Sequence, residues 1–356
     1  MSIAALAAAL TVAQAAATPL DTAVAKATAA GFAGEVLVTD RHRTTFARVV
    51  SAPGRPHVAG ARWRWASVTK QVTATLVLQQ VSQGRLSLDT PLSVALPAFH
   101  GPTASTVTVG MLLRHTSGLP NPDDTPTTVA GGFPDFYRRT GADVGGTKDA
   151  LGYCAGPAKA APGAGFSYDN CDYIVLGAVL EQVTGRPYAA LLRDRVSRPL
   201  HLQSLALARG DRPAPPTTPG FLDASKPEPD FILATFGAAG ALYGKAEDLA
   251  SFDRALLGRK LLSETATAEA WDGDPRLGYV ALGAWSFKAP LAGCAGPVRL
   301  VERRGEIGGV EVRNLLAPDL GRALVVFADR SDLDFGEIWQ GRGLDYALAA
   351  AAFCSA

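Results

Sequence analysis

A series of four β-rich segments near the C-terminal end of the chain constrains the fold more than any other feature. They lie near residues 279–287, 298–304, 309–316 and 322–328, separated by turn-forming stretches. Strands that follow one another at hairpin spacing pair antiparallel. Residues 32–50 contain two more β-rich runs around a polar, basic turn. This pattern predicts a hairpin that joins the same sheet from the other end of the chain, and therefore an α+β fold.

Helical periodicity marks the intervening segments. From Ser67 to Val81 the apolar positions fit a largely buried helix, which Gly84 ends. A second buried helix begins after Asn170 and ends at Gly185. The sequence also predicts three further helices: a short helix within 106–119 with Thr106 or Thr108 as N-cap, a helix near 246–258, and a C-terminal helix from Phe335. It predicts loops with short helices over 120–165 and a surface loop over 209–230.

Charge and chain length limit the classes of partner. The 34 basic and 33 acidic residues give a formal net charge of +1, and no stretch concentrates the basic ones. This distribution argues against nucleic acid or an anionic membrane surface as a partner. A chain of 356 residues is long enough for one large domain or two closely packed subdomains.

The N-terminal segment has the pattern of a signal peptide. A short apolar run from Ile3 to Val12 is followed by Ala13-Gln14-Ala15, a small-residue cleavage pattern. We therefore expect residues 1–18 to be a signal peptide and the protein to be secreted or periplasmic. The run is too short to span a membrane, and we expect no stable membrane insertion. Because the first basic residue is Lys26, the alternatives are a start further upstream or an ordinary alanine-rich helix.

The cysteines suit an oxidising compartment. The four cysteines lie at positions 154, 171, 294 and 354, without a Cys-x-x-Cys pair. Two disulfides are predicted, and pairing Cys154 with Cys171 and Cys294 with Cys354 closes the shorter loops. Four cysteines allow three connectivities, and buried free thiols are the alternative. The histidines and cysteines show no zinc-ligand spacing, so no metal is expected.

Ser67 and Lys70 form the only Ser-x-x-Lys motif in the chain. At the start of a buried helix, positions i and i+3 face the same way, so the Lys70 amine can reach the Ser67 hydroxyl. Free N–H groups at the helix start favour a developing oxyanion, and burial lowers a lysine pKa so that the amine can act as a base. The alternative is a serine N-cap with an exposed lysine.

A second motif, Tyr168-Asp169-Asn170, lies in a glycine-rich loop just before the second buried helix. A tyrosine hydroxyl aimed at a nucleophile can carry its proton, and an asparagine amide can hold substrate or the lysine. In isolation, the same three residues would indicate only a turn.

Together these segments resemble the serine β-lactamase and penicillin-binding-protein superfamily, in particular class C β-lactamases, D-stereospecific peptidases and related esterases. The resemblance runs from about Gly34 to Arg330 in the family's motif order, and its segments are WRWASVTKQVTATLVLQQVSQGRLSLDTPLSVALP, VTVGMLLRHTSGLP, FSYDNCDYIVLGAVLEQVTGRPY and GAAGALYGKAEDLASFDRALLGRKLLS. It implies a β-lactamase/transpeptidase-like fold, with an antiparallel sheet flanked by helices. An α/β part of about 19–66 and 230–356 would then enclose a mainly helical part of about 67–229, all within one catalytic module of residues 19–356.

The resemblance also implies roles for individual residues. Ser67 matches the nucleophile, Lys70 its activating base, and Tyr168 a second proton carrier. Asn170 matches the amide that binds substrate and steadies the lysine. The family's oxyanion hole uses the N–H of the nucleophile and an N–H from an edge strand; in VERRGEIGGVEV we expect the second donor to be Gly309.

On that strand the sequence departs from the family pattern. Where the family has Lys-Thr-Gly or His-x-Gly, we align Glu306-Ile307-Gly308, so an acid would replace the usual cation. Glu306 should then repel a substrate carboxylate, unless Arg303, Arg304 or Arg313 compensates. On a strand Arg304 shares a face with Glu306.

A second consequence of this alignment concerns Lys70. If Glu306 reached Lys70, it would raise the lysine pKa and shift the proton transfer towards Tyr168. The alternative is that Glu306 points to solvent or pairs with an arginine.

The sequence therefore predicts a cofactor-free serine hydrolase that forms an acyl-enzyme on Ser67 with an ester or amide, of esterase or D-amino-acid-peptidase type. Its substrate would be a small molecule or short peptide. The alternatives are a true β-lactamase or D-Ala-D-Ala carboxypeptidase, and a non-catalytic binding protein on the same fold. The chain has no Gly-x-Ser-x-Gly motif, so His115 is expected to be structural.

Overall fold

The computed structural model describes residues 17–138, 147–210 and 217–354. The helices are α1 Pro19–Ala29, α2 Thr69–Ser82, α3 Leu92–Ala95, α4 Val109–Leu113, α5 Thr147–Cys154, α6 Asn170–Thr184, α7 Tyr188–Leu192, α8 Gly237–Gly240, α9 Ala246–Leu257, α10 Glu264–Ala270 and α11 Leu344–Cys354. The strands are β1 Gly34–Asp40, β2 Thr44–Val50, β3 Arg62–Arg64, β4 Ala206–Leu207, β5 Leu242–Lys245, β6 Trp285–Ala289, β7 Val298–Ile307, β8 Val310–Ala317 and β9 Arg322–Ala328.

The main sheet has the order β2-β1-β9-β8-β7-β6, with antiparallel pairing throughout. The N-terminal hairpin joins the C-terminal strands through β1 and β9, where Gly34 lies opposite Ala328. This confirms the α+β fold class and the predicted sheet. Two boundaries differ from expectation. The first C-terminal strand begins at Trp285, after a turn around Gly278, and the last helix begins at Leu344 rather than Phe335.

Alternation along the strands divides the core between the two faces of this sheet. On one face α1 and α11 pack against side chains such as Val36 and Leu300. On the other face Leu37 and Val301 pack in the cluster that contains α2 and α6. Burial of each such side chain contributes about 1.5–3 kcal/mol. The mainly helical residues therefore pack on this second face, where β7 contacts the turn at Ala66–Val68 that precedes α2.

The two helices that carry the predicted motifs begin and end at recognisable signals. A 3-10 turn over Ala66–Val68 precedes α2, which is followed by Gly84 in a left-handed conformation. In α6 the Asp169 side chain accepts from the Cys171 N–H at 2.6 Å, and Gly185 ends the helix with a φ of 65°.

Both predicted disulfides are present. Cys154–Cys171 links the end of α5 to the first turn of α6, next to Tyr168. Cys294–Cys354 links the β6–β7 connection to the end of α11. The four cysteines of the sequence are therefore all paired, as loop length predicted.

Among the described residues no helix is both long and apolar enough to cross a membrane. The predicted signal peptide lies outside the described residues except for its last two positions. One of these, Thr18, is the N-cap of α1, where its side chain accepts from the Asp21 N–H.

Candidate active site

Ser67 lies in the 3-10 turn that leads into α2. Its Oγ is 2.5 Å from the Tyr168 hydroxyl and 3.2 Å from Lys70 Nζ. The preceding residue, Ala66, has a φ of 46°, a left-handed conformation that a non-glycine residue adopts only when packing enforces it. The fold therefore presents the serine hydroxyl at a bend, within reach of two proton-carrying groups.

Lys70 lies on the first turn of α2 and is fully buried. Its Nζ donates to Ser67 Oγ, to the Asn170 side-chain oxygen at 2.6 Å and to the Ala239 carbonyl at 2.9 Å. Burial lowers the pKa of the ammonium, against an opposing effect of Tyr168. These three acceptors do not include Glu306. No hydrogen bond therefore links Glu306 to Lys70 through which it would raise the lysine pKa.

Tyr168 is positioned by groups on three sides. Its hydroxyl accepts from Arg303 Nη2 at 2.9 Å, and its ring centroid lies 4.6 Å from that of His115. Burial alone would raise the pKa of the phenol, but the charges of Lys70 and Arg303 outweigh it and hold the pKa below its ordinary value. Tyr168 is therefore suited to accept or release a proton near Ser67.

Asn170, the first residue of α6, uses both ends of its amide. The oxygen accepts from Lys70, while the nitrogen donates to the Tyr137 hydroxyl at 2.8 Å and to the Asp123 carboxylate at 3.2 and 3.3 Å. Asp123 and Tyr137 lie in the loop region where the sequence had no periodicity, and no sequence pattern pointed to them.

Arg303, on β7, supplies the positive charge of the site. It is 1% exposed, donates from Nε to the Ser67 carbonyl at 2.8 Å, and lies over the rings of Tyr168 and Trp285. Arg303-Arg304-Gly305 thus has the cation-x-Gly pattern that we had aligned with Glu306-Ile307-Gly308. The structure therefore places Arg303 against Ser67, three residues before the position at which the sequence predicted an acid.

Gly305 lies against the backbone of Ser67. A Cβ at this position would lie 2.9 Å from the Ser67 nitrogen and 2.9 Å from the Trp65 carbonyl oxygen. The glycines that we predicted to line the substrate lie at the β7–β8 turn instead. A Cβ on Gly308 would meet Phe231 and Glu228, and one on Gly309 would meet the Phe221 backbone. The structure therefore brings Gly305, rather than Gly308 or Gly309, to Ser67.

Glu306 projects from the opposite face of β7 because side chains alternate along a strand. It lies directly across from Glu311 of β8 and shares its face with Arg304, as predicted. Arg304, however, donates to both Glu302 and Glu337. Glu306 is exposed, yet partial desolvation by the surrounding protein raises the pKa of its carboxyl, an effect that Arg313 partly opposes.

His115 supports the Tyr168 loop. Its Nδ1 lies 3.0 Å from an Asp172 carboxylate oxygen and 3.3 Å from the Asp169 nitrogen, and its ring contacts Tyr168 and Tyr173. Burial holds its pKa well below the ordinary histidine value. These contacts suit the structural role that we expected.

A cavity of about 850 Å³ opens at Ser67 and Tyr168. Both faces of β7 contribute to its wall, Arg303 and Gly305 from one face and Arg304 and Glu306 from the other. Its aromatic lining consists of Tyr168, Tyr279, Trp285, Phe287 and Trp339. Within the described ranges no group of three or more histidine, cysteine, aspartate or glutamate side chains is placed to hold a metal ion.

The sequence and the fold are similar to those of known proteins. The family model described as "Beta-lactamase" matches residues 20–339. The chain is 38% identical over 146 residues to penicillin-binding protein 4 of Amycolatopsis lactamdurans, and the match covers 40% of this chain and 35% of that protein. It is 35% identical over 161 residues to esterase EstB of Burkholderia gladioli, and this match covers 42% of this chain and 39% of the esterase. The matched stretches thus span less than half of these curated relatives.

Among solved structures, a D-stereospecific amidohydrolase from Streptomyces sp. aligns with a TM-score of 0.76 and 27% identity, over 95% of this chain and 98% of that one. The predicted fold and family are confirmed. On the family match over most of its length, the chain belongs to the beta-lactamase family.

Proposed function

We propose that the protein is a serine hydrolase that forms an acyl-enzyme on Ser67 and hydrolyses an ester or amide, of esterase or D-amino-acid-peptidase type. One observation carries the proposal. Ser67 Oγ lies within hydrogen-bonding distance of both Lys70 Nζ and Tyr168 Oη, at the bottom of an open cavity. A nucleophile held between two groups with lowered pKa values is the arrangement that acyl transfer requires.

In the acylation step Ser67 Oγ transfers its proton to the Tyr168–Lys70 pair and attacks the substrate carbonyl carbon. The bond from Oγ to that carbon forms while the carbonyl π-electrons move to oxygen. The tetrahedral intermediate then expels the alcohol or amine, which takes the proton back from the same pair. Arg303 stabilises the negative charge that develops on the Tyr168 oxygen, because its guanidinium donates to that atom.

The oxyanion would be held by two backbone N–H groups. One is that of Ser67, at the start of α2. For the second we now assign Glu306, because it follows Gly305, where an added Cβ would lie only 2.9 Å from the Ser67 nitrogen. In the second half of the reaction, water gives a proton to the Tyr168–Lys70 pair and attacks the acyl carbon. The bond from Ser67 Oγ to that carbon then breaks, the carboxylic acid leaves, and Ser67 Oγ takes the proton back from the pair. Loss of one such donor typically costs about 100- to 1000-fold in kcat.

The substrate class rests on the relatives. EstB is an esterase, and the Streptomyces protein is a D-stereospecific amidohydrolase, which together support small esters or D-amino-acid derivatives. The alternative, a β-lactamase or D-Ala-D-Ala carboxypeptidase, is stronger than the sequence suggested. Arg303 provides the fixed cation, and a penicillin-binding protein is among the relatives.

A non-catalytic protein is the third alternative. Loss of function would leave no selection for a nucleophile, a lysine and a tyrosine in mutual hydrogen-bonding contact, and all three are present. We further propose a secreted or periplasmic location. Two disulfides fit an oxidising compartment, and residues 3–15 have a signal-like pattern.

The proposal is tested by labelling and turnover together. Intact-mass spectrometry after treatment with a fluorophosphonate should find one adduct on Ser67, and Ser67→Ala should remain unlabelled. Turnover of p-nitrophenyl esters, D-amino-acid p-nitroanilides and benzylpenicillin then separates the substrate classes. Rapid turnover of penicillin would favour the β-lactamase alternative. No adduct and no turnover with any of these compounds would overturn the enzyme assignment.

A further inference from the structure

The Asn170 amide is fully occupied on the side away from Lys70. An amide nitrogen has two N–H bonds, and three acceptor atoms lie within reach: the Tyr137 hydroxyl and both Asp123 carboxylate oxygens. Asn170 is 5% exposed and Tyr137 is 1% exposed. No N–H of this amide is therefore left for a group that enters the cavity.

We propose that Asp123 and Tyr137 are positioning residues that hold the Asn170 amide towards Lys70 and away from substrate, so that the enzyme is built for esters or amides without an acylamino group beside the scissile carbonyl. This proposal rests on the proposed serine hydrolase function. It assigns Asn170 to the lysine alone, whereas the family resemblance implied a role in substrate binding as well.

The orientation of the amide follows from its neighbours. Lys70 Nζ is a donor, so it requires the amide oxygen, and a flipped Asn170 would set N–H groups against N–H groups. Asp123 offers only acceptors, so it requires the amide nitrogen. Asp123 supplies the charge of this clamp and two of its three acceptors, at 3.2 and 3.3 Å, while buried Tyr137 supplies the shortest contact, at 2.8 Å.

Tyr137 completes the clamp by donating to Asp123 and accepting from Asn170. Burial, together with the neighbouring Asp123 charge, raises its pKa well above the ordinary value, so the hydroxyl keeps the proton that it donates. Its ring is fixed by stacking on Phe236, with centroids 3.9 Å apart.

The test compares two esters of similar length: the p-nitrophenyl ester of N-acetylglycine, which has an acylamino carbonyl, and p-nitrophenyl pentanoate, which has none. In Asp123→Ala the Asn170 nitrogen loses its carboxylate acceptor, and the Asn170 oxygen that accepts from Lys70 is no longer held in place. We expect kcat for the pentanoate ester to fall about 10-fold or more, with KM changed by less than about threefold.

The same variant frees the Asn170 nitrogen. Relative to wild type, the ratio of kcat/KM for the acetylglycine ester to that for the pentanoate ester should rise about fivefold or more, the value of one added hydrogen bond. Asp123→Asn, which keeps one acceptor oxygen, should lie between wild type and Asp123→Ala. Tyr137→Phe should change the same ratio in the same direction by a smaller factor.

Asp124→Ala is the matched control. Asp124 is the next residue along the chain and is exposed, as Asp123 is, but it pairs with Lys159 instead of Asn170. We expect wild-type values for both esters. The clamp is overturned if Asp123→Ala and Asp123→Asn, folded as judged by melting temperature, match Asp124→Ala in kcat and in the ester ratio. Failure of the proposed function would look different: wild type itself would hydrolyse neither ester and take no fluorophosphonate label.

Discussion

Arg303 and Arg304 are neighbours in sequence, yet they belong to different environments. Arg303 is buried against Ser67 and Tyr168, where it meets a carbonyl and a phenol oxygen but no carboxylate among its hydrogen-bond partners. Arg304 lies on the other face of β7 and donates to the carboxylates of Glu302 and Glu337. Alternation along one strand therefore places Arg303 against Ser67 and pairs Arg304 with carboxylates, although both arginines line the cavity.

The difference in partners predicts which property each arginine supports. A cation whose partners are neutral groups stabilises negative charge that appears during the reaction. A cation already paired with two carboxylates has its charge compensated, and its removal leaves those acids unpaired instead. Removal of Arg303 should therefore lower activity, whereas removal of Arg304 should lower stability.

The largest effect should come from Arg303→Ala, which removes the positive charge next to Tyr168. We expect kcat/KM for a p-nitrophenyl ester to fall about 100-fold, a typical loss for impaired acid–base catalysis. Arg304→Ala should keep kcat/KM within about threefold of wild type but lose about 2–3 kcal/mol of unfolding free energy, because buried Glu302 loses its partner. Steady-state kinetics and urea unfolding measure both quantities.

The pH profile provides a second readout for Arg303. Since Lys70 and Arg303 hold the pKa of Tyr168 low, loss of Arg303 raises it. If Tyr168 must be ionised to accept the proton, the acidic limb of kcat/KM moves to higher pH in Arg303→Ala and returns towards wild type in Arg303→Lys. Equal losses of activity in the two alanine variants would contradict the division between the faces.

An intermediate effect should come from Gly305→Ala, which puts a methyl group on the Ser67 side of β7. Its Cβ would lie 2.9 Å from the Ser67 nitrogen and 3.0 Å from the Ala66 Cβ, so backbone has to move. We expect kcat to fall about 10- to 100-fold, because a misplaced nucleophile loses alignment. Gly296→Ala is the control, since nothing lies within 4 Å of a Cβ there. Similar kinetics for the two variants would show that β7 does not position Ser67.

The smallest effect should come from Glu306→Gln, on the face of β7 that carries Arg304. Glu306 faces Glu311 across the β7–β8 pair, and burial is the main cause that raises the pKa of Glu311 to about 7. An acid with a raised folded pKa stabilises the fold at low pH, and this contribution is lost as pH rises from about 4.3, the unfolded value, through about 7.

Removing the Glu306 charge eases the ionisation of Glu311. The melting temperature of Glu306→Gln should therefore exceed that of wild type by about 1–2 °C at pH 8, and differ less at pH 5. Its kcat/KM should stay within about threefold of wild type. A large loss of activity would place the Glu306 side chain in the reaction after all, and scanning fluorimetry with steady-state kinetics covers both outcomes.

Local sequence signals were sufficient for the helical half of the site. The Ser67–Lys70 spacing at a helix start, the Tyr168–Asn170 loop and the antiparallel strands were predictable, because helix periodicity and hairpin spacing depend on residues close in the chain. Loop length favoured the observed disulfide pairing but left three connectivities open. The resemblance of these segments to one family predicted that the two motifs belong to a single site.

The strand half of the site depended on the tertiary structure. Whether Arg303 or Glu306 meets Ser67 is decided by the register of β7 against β8 and by its packing on the turn before α2, and a one-residue change of register reverses the two faces. Asp123 and Tyr137 reach Asn170 from a loop without periodicity. The sequence by itself thus determined the fold, the family-like motifs and the proximity of Ser67 and Lys70. Long-range packing alone decided which cation, which glycine and which amide partners surround them.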